Sequence, residues 1–208
     1  MKTKWIFLAC GVILVSLLGG CGGSPASDPG KDVKSEALSV YKDILKASPA
    51  IEGEHAELED ASFDYEQNAE KFGKHYDCFA IADINGDGVP ELIASTVVNF
   101  RWVPISVFTY ADGKAVLLQD PVEPTPHGTF EQMSTANGAY TLYVCEGKGL
   151  HSVWRGATPD GETAQENQSY VLNGTTLVMS DHTLGEDAVA FSDIAKANTA
   201  ANADAITQ

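Results

Sequence analysis

The sequence predicts a mainly β protein of the α+β class. It reads as an antiparallel meander, a curved sheet or open barrel, with an N-terminal amphipathic helix and a short C-terminal helix. Three observations predict this. From about residue 75 the apolar residues alternate with a period of two. Tight-turn residues, mostly Gly, Asn and Asp, separate those alternating runs. Apolar residues at helical spacing occur clearly only before Pro49.

The helix comes first. In "KDVKSEALSVYKDILKAS", residues 31–48, Val33, Ala37, Tyr41, Ile44 and Leu45 fall on one face, with lysines and acids opposite. Its apolar stripe needs a surface to cover, and the sheet that follows supplies one. From 51 to 70 the chain carries eight acids and no Lys or Arg, which reads as a solvated connector or a cation- or partner-binding surface. Nine strands are then predicted: 75–83, 91–99, 105–110, 114–119, 129–136, 139–146, 150–157, 168–173 and 176–181. Ala111-Asp112-Gly113, Asn137-Gly138, the glycine-rich 147–149 and Gly174-Thr175 supply turns, because glycine and asparagine accept positive φ. In the tail, 191–208, Ser192 is placed to cap a short helix and the remainder can fray.

The chain opens with two lysines, an apolar stretch from Trp5 to Leu18 and then small residues, the layout of an export signal. The apolar part is too short and glycine-rich for a membrane span. Leu18-Gly19-Gly20-Cys21 resembles the lipobox of bacterial lipoproteins; cleavage near Ala26 is the alternative. The resemblance implies removal of residues 1–20 and acylation of Cys21, hence a lipid anchor in the cell membrane with the protein facing outside the cytoplasm. Residues 21–30, small and turn-rich, then read as a flexible tether to one globular domain over 31–190. Without residues 1–20 the chain loses Lys2 and Lys4 and no acid, leaving eleven bases against 29 acids, a charge of −18. Nucleic acid and anionic headgroups repel such a surface, so the expected membrane contact is the lipid alone. Cys78 and Cys145 remain in an exported protein, either as a disulfide or as two buried thiols.

The stretch "DINGDGVPELI", 83–93, carries the clearest chemistry. Oxygen-bearing side chains recur at positions 1, 3, 5 and 9 (Asp83, Asn85, Asp87 and Glu91), with Gly88 at 6 and the Val89 carbonyl at 7. Calcium takes six to eight hard oxygens from a chain curling around it, and the sharp bend at position 6 favours glycine. A plain turn needs only one Asn-Gly or Asp-Gly, and like-charged carboxylates repel unless a cation lies between them. The spacing resembles the calcium loops of FG-GAP-type and EF-hand-like extracellular modules, especially those of uncharacterised bacterial surface lipoproteins. That resemblance implies that Asp83, Asn85, Asp87 and Glu91 ligate by side chain and Val89 by its carbonyl. It departs from an EF-hand at position 12, where Ala94 stands, and in its flanking strands. The expected cofactor is therefore structural calcium, with no helix-opening switch; a dry turn is the alternative.

Elsewhere the chain has no H-E-x-x-H, no G-x-S-x-G and no phosphate-binding glycine loop. Arg101-Trp102 and Trp154-Arg155 are the candidate ligand-binding pairs, because Trp and Arg stack on sugars or on a partner's rings; core tryptophans with a rim arginine are the alternative. The function expected is a lipid-anchored, calcium-stapled binding or structural module whose extracellular ligand or envelope partner is unknown. An extracytoplasmic hydrolase of glycan or peptidoglycan is the second reading. An uptake-system receptor ranks below both, because alternating βα units are missing.

Overall fold

The computed structural model describes residues 29–48, 74–98, 101–125, 128–130, 138–158, 160–197 and 200–206. The export signal, Cys21, most of the tether and the acidic connector lie outside the described residues. So do the side chains of Arg101 and Trp102, whose backbone alone is described.

The elements run α1 (Pro29–Ala47), β1 (Cys78–Ala82), β2 (Glu91–Val98), β3 (Arg101–Ala111), β4 (Lys114–Leu117), β5 (Gly138–Cys145), β6 (Gly149–Ala157), β7 (Thr163–Asn173) and β8 (Thr176–Ser180). The chain finishes with β9 (Val189–Ala190), α2 (Phe191–Ile194), β10 (Lys196–Ala197) and α3 (Ala200–Ala205). They form two antiparallel five-stranded sheets, in the orders β10-β1-β2-β3-β4 and β8-β7-β6-β5-β9. The meander is as expected, but it is divided between two sheets rather than bent into one. The proline-rich "DPVEPTP", 120–126, ends the β4 ladder, since prolines lack the amide a ladder requires. The chain touches the first sheet once more at Phe130 and enters the second at Gly138.

Alternation along β1–β3 sorts side chains onto two faces. Cys78, Ala80, Ile93, Ile105 and Val107 meet Leu142, Val144, Leu150, Tyr170 and Leu177 of the other sheet. Phe79, Leu92 and Ala94 point the opposite way, onto Ala37, Tyr41 and Leu45 of α1 and Ala203 of α3. The result is three layers: helices, first sheet, second sheet. Because the first sheet is covered on both faces, its strands read as nearly unbroken apolar runs. Ala37, Tyr41 and Leu45 of the helical stripe are buried as expected, whereas Val33, in the second turn, is 39% exposed.

Three expectations need correction. The 129–136 strand does not pair with β5, both of whose edges are taken by β6 and β9. Phe130 instead bridges Ile105 of the first sheet, and 131–137 lie outside the described residues. Gly138 is not a turn residue but the first residue of β5, opposite Gly156. The tail forms the short helices α2 and α3, but Ser192 lies inside α2 rather than capping it, since the N-cap is Ala190. β10 pairs with β1, Asp204 of α3 bonds Lys42 and Lys46 of α1 at 2.7 Å each, and β9, just before the tail, extends the second sheet.

The Asp112-Gly113 turn has both residues at positive φ, 51° and 78°, the geometry a two-residue hairpin requires. Gly149 is constrained more severely. Its φ is +107°, and an added Cβ would stand 1.9 Å from the Tyr170 carbonyl oxygen of β7. Gly149→Ala is therefore expected to destabilise the domain by about 3 kcal/mol. Gly113→Ala, which meets only open space, should cost about 1 kcal/mol from backbone strain alone. Urea-unfolding midpoints of the two variants check this, and equal losses would contradict it.

Candidate functional site

The 83–91 loop joins β1 to β2 across one end of the first sheet. Its side-chain oxygens are turned inward onto its own amides. Asp83 accepts from the Gly86 amide at 2.7 Å and the Gly88 amide at 2.9 Å. Asn85 Oδ1 accepts from the Asp87 amide at 3.0 Å, and Asp87 Oδ1 from the Val89 amide at 2.7 Å. Asp87 Oδ2 also accepts from the Asn85 side-chain amide at 2.9 Å. Gly86 and Gly88 both take positive φ, 77° and 86°, which lets successive amides point at one carboxylate.

Glu91 differs from the other acids. It opens β2 with its side chain on the face toward the second sheet, and it is 1% exposed. Its Oε2 accepts from the Ile84 amide at 3.0 Å and its Oε1 from the Thr109 hydroxyl of β3 at 3.1 Å. Burial pushes its carboxyl up to about 7; Asp87 and Asp83 add to this, while the bonds from Ile84 and Thr109 oppose it. Tyr41 of α1 is buried near the loop with its hydroxyl unpartnered. Burial first, and then Glu91 and Asp87, hold that phenol well above its ordinary range. The loop also touches the second sheet. The Gly147 amide, in the β5–β6 turn, donates to the Asp83 carbonyl at 2.8 Å, and Gly86 packs on the Gly147 backbone.

This donor set suits a hard divalent cation. Each side-chain oxygen of Asp83, Asn85, Asp87 and Glu91 spends one lone pair on an amide or, at Glu91 Oε1, on the Thr109 hydroxyl, and keeps another. The loop's acids include one taken out of water without a basic partner among its interactions. No three His, Cys, Asp or Glu side chains among the described residues are grouped closely enough to hold a metal by themselves. A cation here would thus need the Asn85 amide oxygen, the Val89 carbonyl and water as well. Beside the loop a groove of about 750 Å³ runs along β1, edged by Lys34, Lys196, Asp83 and Glu146. Its charges balance, so it selects neither sign of ligand.

The sequence-adjacent Trp154 and Arg155 do not work as a pair. Neighbours on a strand face opposite ways. Trp154 lies on the face shared with Tyr140 and Glu166; Arg155 lies on the other, where its Nε donates to Gln165 at 3.0 Å. Cys78 and Cys145 are buried free thiols, so of the two alternatives the structure carries the unbridged one. Burial holds the Cys78 thiol up at about 12 and raises that of Cys145, which keeps both unreactive.

Sequence reasoning missed a contact between His151 and Ser169, which oppose each other across β6 and β7. Ser169 Oγ gives its proton to the His182 carbonyl at 2.7 Å, so at 2.6 Å it accepts from His151 Nδ1–H. A buried hydroxyl committed to a carbonyl is structural glue rather than a nucleophile. The contacts of Thr109 and Gly147 with the loop also have no local sequence signal, because each is made through strand register or the second sheet. No family model matches the chain, and neither does any curated protein or solved structure.

The raised Glu91 carboxyl has a definite sign. The native state holds this proton between pH 4.5, the exposed value, and about 7. Its stabilising contribution is complete below 4.5 and is lost as pH rises through 7, by roughly 3 kcal/mol. In calcium-free solution, Glu91→Gln should remove that decline. Urea midpoints at about pH 5 and about pH 8 for both proteins test this; parallel pH slopes would count against it.

Proposed function

We propose that this chain is an envelope lipoprotein, anchored through lipid on Cys21, whose β domain is fastened by structural calcium at the 83–91 loop. It acts outside the cytoplasm as a binding or structural module. Asp83, Asn85, Asp87 and Glu91 would hold the ion with the Val89 carbonyl. The observation that carries this reading is the burial of Glu91 beside Asp83 and Asp87, an arrangement that a divalent cation would relieve.

The ion supplies charge neutralisation. The chain does the rest: Gly86 and Gly88 shape the loop, Thr109 and the Ile84 amide orient Glu91, and Gly147 ties the loop to the other sheet. The staple would join two sheets as well as two strands. Around Trp154, Tyr140, Glu166 and Gln168 are open to solvent rather than closed off from it, which favours binding over hydrolysis. The antiparallel sheets likewise disfavour a two-lobed uptake receptor.

Extracellular modules bind calcium at roughly 0.1–1 mM, so about 10 mM calcium should raise the melting temperature by about 4–7 °C over chelator. Asp87→Ala should erase that difference, and a wild-type chain indifferent to calcium would sink the staple. Palmitate labelling in cells should vanish with Cys21→Ser; labelling that persists refutes the anchor.

A further inference from the structure

Tyr140 on β5 opposes Trp154 on β6, which in turn opposes Glu166 on β7. Opposed residues of antiparallel strands share a face with neighbours about 5 Å apart, so this row spans about 10 Å. Further along the same face, Leu142, Val144, Leu150 and Tyr170 are buried against the first sheet. At the row that cover ends: Tyr140 is 38% exposed, Glu166 is exposed and Trp154 is half-buried. The row beyond is Gly138, Gly156 and Ala164, all too small to screen the indole. A Cβ at Gly138 would stand 2.5 Å from Trp154 Cζ2, so the ring occupies space that only glycine leaves open.

The charge on this face has one sign. Its described strand positions carry Glu166 and no Lys or Arg. The Tyr140 hydroxyl is pushed up by burial and then by Glu166 and Glu123, which brings a second carboxylate to the ring from the segment after β4. Aromatic faces attract cations, and an acidic rim in a chain of net charge −16 concentrates them. A neutral saccharide gains nothing from that field, and an anion is repelled.

We infer that the Tyr140–Trp154–Glu166 row is a subsite for a small organic cation, its alkylammonium group seated on the two rings with Glu166 as counter-charge. The inference gives the binding-module reading a ligand class and rests on that reading. It does not draw on the calcium reading, because the row lies at the end of β5 and β6 away from the Gly147 turn that meets the 83–91 loop.

The test uses choline as the probe and tryptophan emission as the readout. Trp102→Phe leaves Trp154 as the domain's reporter. Choline should give a saturable change, weakened about 5-fold by Glu166→Gln and weakened again in about 0.2 M salt. Glu166 is exposed, so the variant should melt as the parent does, and Tyr140→Ala should lose affinity in the same way. The subsite is overturned if choline gives no saturable change. It is also overturned if chitotriose binds equally well and Glu166→Gln has no effect. A chain that ignores choline but keeps its calcium-dependent melting shift refutes the subsite alone; the converse result refutes the staple alone.

Discussion

One carboxylate held in the seam between two sheets constrains most of what surrounds it. Glu91 begins β2, accepts from Thr109 of β3, and accepts from the Ile84 amide of the loop that precedes it. Withdrawing a carboxylate from water is costly unless hydrogen bonds or an opposite charge compensate. Two neutral donors compensate in part, and the raised carboxyl records the remainder. The same loop accepts the Gly147 amide through the Asp83 carbonyl, so its conformation is felt by the β5–β6 turn of the other sheet. A short turn thereby ties together elements that are distant in sequence.

Features decided by local chemistry were legible in the sequence. The Asp112-Gly113 turn requires positive φ at both residues and has it. Most of the stripe on α1 is buried because helical spacing brings Ala37, Tyr41 and Leu45 to one face. The oxygen spacing of the 83–91 loop likewise arises within nine residues. What stayed hidden was non-local. No local signal marks two-residue strands such as β9 and β10, whose existence depends on the open edges they meet. Asn137-Gly138 has the signature of a turn, yet its glycine is required by an indole from the next strand.

The aromatic candidates carry the same lesson. Trp154 and Arg155 look like a pair when written side by side, but strand parity separates them. The partners that matter, Tyr140 and Glu166, lie fourteen residues before and twelve after Trp154 and are brought close only by hairpin register. Parity could have excluded the arginine from sequence alone. Naming the true neighbours required the register of two hairpins.

The C-terminal stretch has a consequence for how the molecule is made. Within nine residues it adds a strand to the second sheet, turns through α2, and adds a strand to the first, like a clasp closing two leaves of a folder. Synthesis delivers that clasp only after strands β1–β8 of both sheets. Until residues 189–197 have emerged, β1 and β5 each lack a partner along one edge, so the polypeptide reaches its finished architecture late.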